Sequence, residues 1–437
     1  MKGKKRISML LVVILLVFMI WFAMEDSINN SAADERVFKE DITLEVWYSE
    51  AELQNYIEKA AESFEAANHV TVNTRLMSEV DYIENINNQS VGEEFEGPDV
   101  YLVSNDQLEM VELAGLTKPV NDTKNHYTTE YFCDTALHAV RYNGAQIAYP
   151  ISFETSFLIY NKDYITIDQQ VESESSEETQ TEKMEVIPTT LDELMEFSEN
   201  FEEKEGVENI FRFDVSDIFY TYFFVGDYLK LGGLDGDNAG VVNIANDNVK
   251  SCLVRFQELA QFFAIDIKTI NYDTVLKEFA EGKTVYAIGK TDAVQRINDL
   301  AQMNGKEINY GIAVLPNVSA DLNSKALSVT TAAVVNGYTR QEEEAARFAD
   351  YLSFGYAGQL YECSGKYTAK RYKGTGNGAF YDDIYKQYEN SVSLPKLLNA
   401  SNFWVNLEIA FFNIWNGENV DAQIQSVSDQ VTKQLNN

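Results

Sequence analysis

Arg141-Tyr142-Asn143-Gly144-Ala145-Gln146-Ile147-Ala148-Tyr149-Pro150, continuing through Ile151-Ser152-Phe153-Glu154-Thr155-Ser156 to Phe157-Leu158-Ile159-Tyr160-Asn161-Lys162, is the stretch that decides the fold. Asn143-Gly144 separates two short strand-like segments. A two-residue hairpin turn needs positive φ at both central positions, and Asn and Gly supply it. Tyr149-Pro150 ends that hairpin. The apolar run at 157–160 reads as a buried strand, which leaves Ser152 to Thr155 as a short polar crossing between two strands. A hinge is expected at that crossing.

Upstream, Ile42-Thr43-Leu44-Glu45-Val46-Trp47-Tyr48 alternates as a strand does, and Trp47 is assigned to the core. Leu53, Tyr56, Ile57, Ala60, Ala61 and Phe64 then recur at helical spacing. Strands at 70–76 and 100–103 follow, the second introduced by Gly97-Pro98-Asp99. Strand, helix, strand, helix, strand is the pattern of a doubly wound parallel sheet, so the fold class is α/β. Ligands of such sheets bind beyond the carboxyl ends of the strands, here near residues 49–52 and 104–107. Downstream, the sequence predicts an aromatic helix over 218–231, a helix over 249–263, a strand over 284–288 and a strand over 310–316 that returns to the first lobe. An amphipathic helix over 342–361 and C-terminal helices over 402–415 and 420–435 complete the chain.

With 437 residues the chain exceeds one hydrophobic core, and two domains are expected. Lys plus Arg number 34 against 69 Asp plus Glu, a formal charge of −35 that argues against nucleic acid as a partner. Cys133, Cys252 and Cys363 are widely spaced and odd in number, so they read as buried thiols and not as a disulfide framework. Lys2, Lys4, Lys5 and Arg6 precede an apolar run at 7–24. This predicts insertion with the N-terminus cytoplasmic and the remainder outside. Residues 1–24 are therefore expected to be an uncleaved membrane anchor and 25–40 a tether, with Ser31 and Ala33 the competing peptidase site of a signal segment. The acid-rich run 172–187 carries too little apolar surface to fold and is expected to be a flexible surface insertion. Thr189-Thr190 beyond it should cap a helix.

Taken in order, Gly97-Pro98-Asp99, residues 141–154, Ile159-Tyr160-Asn161-Lys162, Glu281-Gly282-Lys283-Thr284, Asn309-Tyr310-Gly311, Val314-Leu315-Pro316, Ser401 and Phe403-Trp404 resemble the bacterial extracellular solute-binding proteins that are like maltose-binding protein. The resemblance spans the chain from about residue 41 to the end. It implies a two-lobed periplasmic-binding-protein-like fold, doubly wound sheets joined by a hinge. The first lobe would combine 41–152 with 313–365 and the second 153–312 with 366–437. It also implies capture of an oligosaccharide, of maltodextrin type, and delivery to ABC permease subunits, without enzymatic activity and without a cofactor. The alternatives are another solute, such as a different glycan or a peptide, and a membrane-tethered sensory or scaffold paralogue.

A sugar site needs aromatic faces to stack on pyranose C–H surfaces and carboxylates or amides to pair with hydroxyls. The resemblance places Asp106 and Glu154 at hydroxyl-binding carboxylates and Trp404 at a stacking tryptophan. Asp217, Phe219 and Tyr222 fall on a binding segment of the second lobe, and Glu50 lies on the acidic side of the cleft. Several family features are replaced: Val103 stands for an aromatic, Gln107 for an arginine, Glu50-Ala51-Glu52 for a pairing that includes a lysine, and Thr291-Asp292 for a proline and a second tryptophan. Each site has a plainer competitor. Asp106 could cap the helix after Asn105, Glu154 could be a solvated hinge acid, and Trp404 could be core. Asp235-Gly236-Asp237-Asn238-Ala239-Gly240 lacks the third ligand and the bidentate acid of a calcium loop and reads as a turn. Gly374-Thr375-Gly376-Asn377-Gly378 reads as a loop, and His69, His126 and His138 show no metal spacing.

Overall fold

The hairpin forms as the sequence predicts. Asn143 takes φ 48° and Gly144 φ 77°, and Arg141–Tyr142 pairs antiparallel with Ala145–Gln146. The computed structural model describes residues 42–92, 94–172, 179–372, 377–400 and 402–435. The expected anchor and tether, most of the glycine-rich loop and Ser401 lie outside them. Among the described residues, no helix is long and apolar enough to cross a membrane.

Thr43–Tyr48 is flanked in parallel by Thr71–Leu76 and Val100–Ser104. The helix Gln54–Asn68 buries Tyr56, Ile57, Ala60, Ala61 and Phe64, the stripe read from helical spacing, and Trp47 is buried at 1% exposure. The three parallel strands continue into a ten-stranded sheet that holds both lobes.

The polar crossing expected at Ser152–Thr155 is instead continuous strand. Tyr149–Asn161 is one element of 13 residues, here called the crossing strand. Its first half pairs with Ala326–Val335, the return strand, and with Tyr367–Thr368. Its second half lies between Thr284–Lys290 and Tyr310–Ala313, antiparallel to both. Ladder pairing therefore continues through the whole crossing, from the return strand along residues 149–155 to Thr284–Lys290 along 156–160. The polar side chains are accommodated by hydrogen bonds, Thr155 Oγ1 donating to the Leu327 carbonyl at 3.0 Å and Ser156 Oγ to the Phe219 carbonyl at 3.4 Å. The return strand also pairs antiparallel with Val100–Ser104, which joins the first three strands to the crossing.

Four other expectations change. The aromatic segment is helical only over Ile218–Thr221 and Tyr222–Phe224 and turns into a strand at Lys230–Gly232. The turn carries Gly226, packed so closely that a Cβ there would sit 2.1 Å from the Lys325 carbonyl oxygen. The segment 342–361 breaks after the helix Glu342–Asp350 into a π-helical turn at Tyr351–Gly355, and helix resumes at Leu360–Ser364. The acidic insertion is paired backbone at its flanks, Thr166–Glu172 running antiparallel to Thr179–Glu185. Ladder hydrogen bonds there need no apolar side chains, and residues 173–178 lie outside the described residues. Cys133 and Cys252 are buried, whereas Cys363 is only half-buried.

The helix Leu191–Asn200 does carry its expected cap. Thr190 Oγ1 accepts from the Glu193 N–H at 3.2 Å, and the Glu193 carboxylate accepts from the Thr189 N–H at 2.7 Å.

Candidate functional site

Crossing and return strands are buried along their length except at one residue each, Glu154 on the first and Val329 on the second. These two residues are register partners. Paired residues of an antiparallel ladder project from the same face. The two strands joining the lobes therefore meet solvent at one paired position, and Glu154 is the carboxylate that sits there.

Charged groups converge on it from both sides. Lys366, just before Tyr367–Thr368, places its ammonium 3.3 Å from Glu154 Oε1 and 2.6 Å from Glu50 Oε2. Lys290, the last residue of Thr284–Lys290, lies 3.2 Å from Glu154 Oε2 and 3.9 Å from Asp292. Burial would raise the Glu154 carboxyl, but the Lys290 and Lys366 ammonium groups outweigh it and hold the group below the usual glutamate range. Burial would lower Lys366, and the Glu50 and Glu154 carboxylates outweigh it in the other direction. Glu154 is thus no freely solvated hinge acid.

Glu50 follows the carboxyl end of Thr43–Tyr48 and accepts from Thr331 Oγ1 at 2.7 Å. Thr331 is the register partner of Ser104, at the carboxyl end of Val100–Ser104. Asp106 stands two residues further and accepts from Ser104 Oγ at 2.5 Å. Neither the short helix Asn105–Gln107 nor Leu108–Leu113 has a side-chain cap, so the capping role weighed for Asp106 is not the one it takes. Neighbouring Asn105 is fully buried, its amide donating to the Leu394 carbonyl and accepting from the Thr330 N–H at 2.8 and 2.9 Å. Glu50 and Asp106 therefore stand beyond the carboxyl ends of their strands, where α/β sheets present ligands, and Thr331 ties Glu50 to the middle of the return strand.

On the other side, Ser156 is the register partner of Lys290 and donates to the Phe219 carbonyl, which brings the turn 217–224 over the same face. Asp217 is exposed and caps that turn, accepting from the Phe219 N–H at 2.8 Å. Although its side chain reaches solvent, partial desolvation by the surrounding turn and the nearby Asp214 carboxylate raise Asp217, with the Phe219 N–H and Lys290 opposing. Phe219 is half-buried, while Tyr222 is 2% exposed. The Trp404 ring lies 5.7 Å from Tyr222, tilted by 60°. Trp404 is half-buried, whereas Phe403, Leu407, Ala410, Phe411, Ile414 and Trp415 of the same helix are buried.

Sequence reasoning missed Lys290, Lys366, Thr331 and Val329. Lys290 closes a buried apolar strand and could have been found from the strand-end rule. Lys366 carries no local signal, because Glu154 is 212 residues away in sequence. Val103, read as a lost cleft aromatic, is buried at 4% exposure.

Residues 59–361 match the family described as bacterial extracellular solute-binding protein. The chain belongs to that family. This solute-binding protein is 20% identical over 405 residues to the maltodextrin-binding protein of Bacillus subtilis, covering 90% of this chain and 88% of the relative. It is 24% identical over 317 residues to the galactooligosaccharide-binding protein of the same organism, covering 71% and 68%. Among solved structures it superposes on an extracellular solute-binding protein from Staphylococcus aureus in complex with maltose. That match has TM-score 0.73 and 17% identity, covering 90% of this chain and 98% of the other. A cyclo/maltodextrin-binding protein complexed with maltotetraose matches at TM-score 0.72 and 18% identity, covering 91% and 98%. The two-lobed fold expected from the sequence is the fold of this binding protein.

Proposed function

We propose that the solute-binding protein captures a neutral oligosaccharide of maltodextrin type between its two lobes and hands it to an ABC permease. One observation carries this reading: Glu154 and Val329 are the single paired opening in the two strands that join the lobes. Glu50 and Asp106 stand on one side of that opening, and Asp217, Phe219 and Trp404 on the other. A sugar offers hydroxyls at its rim and C–H surfaces on its faces, and this arrangement meets both. The names of the relatives, maltodextrin- and galactooligosaccharide-binding, support the saccharide class.

Closure follows from linkage. A ligand touching both lobes gains its extra contacts only when they close, so it favours the closed state by that difference and by nothing else. The lobes in this reading are 41–152 with 313–365 and 153–312 with 366–437, exchanged through the crossing strand and returned through Ala326–Val335. No catalytic step is invoked, and no cofactor or metal.

Isothermal titration of the protein with maltotriose, beside a panel of other oligosaccharides, tests the reading. Asp106→Asn is expected to weaken binding by about 1.5 kcal/mol, roughly tenfold, because a charged acceptor is lost. The melting temperature should stay unchanged, since Asp106 caps no helix. A scaffold role is the second reading, favoured by the ion pairs that already occupy both oxygens of Glu154. Absence of binding across the whole panel would make the scaffold the better account.

Anchoring by residues 7–24 belongs to the same proposal. Mass spectrometry of the protein taken from its native membrane should find an N-terminus upstream of Ile7, allowing for loss of Met1. A mature start at Asp34 would convert the segment into a cleaved signal peptide.

A further inference from the structure

Glu50 and Glu154 would repel one another across the opening if nothing stood between them. The Lys366 ammonium stands there, 2.6 Å from Glu50 Oε2 and 3.3 Å from Glu154 Oε1. The pairs continue without a gap: Lys290 lies 3.2 Å from Glu154 Oε2, Asp292 lies 3.9 Å from Lys290, and Arg296 lies 3.5 Å from Asp292. Signs alternate along the whole line. It begins beyond the end of Thr43–Tyr48, crosses the strand shared by the lobes and ends on the helix Ala293–Met303.

We propose that Lys366 is the positioning residue of the saccharide site, holding Glu50 and Glu154 in place so that their remaining lone pairs face ligand hydroxyls. The proposal rests on the saccharide reading above. An ionised carboxylate has about four acceptor positions, and the contacts described use two on each of Glu50 and Glu154, so acceptors remain for hydroxyls. Lys366 uses two of its three donors on the carboxylates, which leaves one for a ligand oxygen.

Its environment argues against a lysine that merely fills space. Its side chain is 16% exposed, and a desolvated ammonium is stable only where paired. The other charged or titratable groups facing the line are Lys290, Asp292 and Arg296 from the second lobe, Tyr272, which donates to Asp292, Asp273, which pairs with Arg296, Asp217, which acts on Lys290, and Tyr82, which feels Glu50. Lys366 alone touches both Glu50 and Glu154 among the described ion pairs. Removing it leaves two carboxylates facing each other with Lys290 on one side only.

The sign of the pH effect follows. Glu154 is held below the usual range in the folded protein, so its ionised form, and binding that depends on it, persists as pH falls until that lowered value is reached. Without Lys366 the value rises, and binding should be lost at a higher pH. Maltotriose titrations of wild type, Lys366→Met and Lys366→Arg between about pH 4 and about pH 8 read this directly. The acid limb of affinity is expected to move up by about one pH unit in Lys366→Met and to return with Lys366→Arg. A lysine with a structural role alone would lower the melting temperature and reduce affinity equally at every pH, and that result overturns the proposal.

A second readout separates this from the saccharide reading. The Glu154 carboxyl, followed by carbon-13 NMR and assigned by its loss in Glu154→Gln, should titrate higher in Lys366→Met with no sugar present. An unmoved midpoint overturns the proposal whatever the sugar result. A moved midpoint in a protein that binds no sugar overturns the saccharide reading and leaves Lys366 as the group that fixes the two carboxylates.

Discussion

Replacing Trp404 with alanine is expected to weaken maltotriose binding by about 2 kcal/mol, roughly thirtyfold, with little change in melting temperature. Partial exposure at the start of its helix is the reason for the second half of that statement. Trp404 shares the phase of buried Phe411 and Trp415, but it stands in the first turn of Phe403–Trp415 and is only half-buried there. Its ring leans on Tyr222 at 5.7 Å and on Phe403 at 4.8 Å, which holds it in place while it stays half-buried. An aromatic held in that way is pre-organised for stacking, so a ligand that covers it loses little side-chain entropy. Calorimetry and thermal melting on the same variant decide the matter. If Trp404 belonged to the core, Trp404→Ala would lose stability by the several kcal/mol typical of buried tryptophans and keep its affinity wherever it remained folded.

Sequence made the local chemistry legible and the long-range chemistry illegible. Asn143-Gly144 announces its turn because positive φ is a property of two adjacent residues, and both adopt it. The buried face of Gln54–Asn68 is equally local, since a period of 3.6 is visible within four turns. Ser152 and Thr155 misled for the opposite reason. Polarity there suggested a loop, yet Ser152 is 2% exposed and Thr155 fully buried, their needs met by a strand that arrives about 170 residues later, as the 172-residue separation of Thr155 and Leu327 shows. The helix expected over 218–231 failed on Gly226, whose close packing on Lys325 is invisible without the fold. The site divides in the same way. Glu154 and Asp106 stood out through the family resemblance, whereas the lysines that fix the state of Glu154 come from segments with no motif of their own.

The other large effect expected is on stability, and it falls on the residue beside Glu154. Phe153→Ala should destabilise the protein by about 3–5 kcal/mol. Side chains alternate along a strand, so Phe153 points away from the opening that Glu154 faces. Its ring stacks on Tyr388 at 3.9 Å with 3° between planes and meets Tyr385 edge-on at 6.0 Å. Tyr388 is in turn tied to the return strand by a 2.6 Å hydrogen bond to Thr330 Oγ1, and Thr330 is the register partner of Phe153. Truncation therefore leaves a cavity where the crossing strand, the return strand and the helix Tyr381–Glu389 meet, and none of these can close it alone. Guanidinium denaturation followed by far-ultraviolet circular dichroism gives the loss, and Phe153→Leu should recover much of it. Sugar affinity of the folded Phe153→Ala protein should stay within a few-fold of wild type, because the carboxylates and Trp404 lie on the far face. A loss of stability under about 1 kcal/mol would mean that the aromatic stack does not hold the crossing strand, and the rigid frame on which Glu154 depends would have to be sought elsewhere.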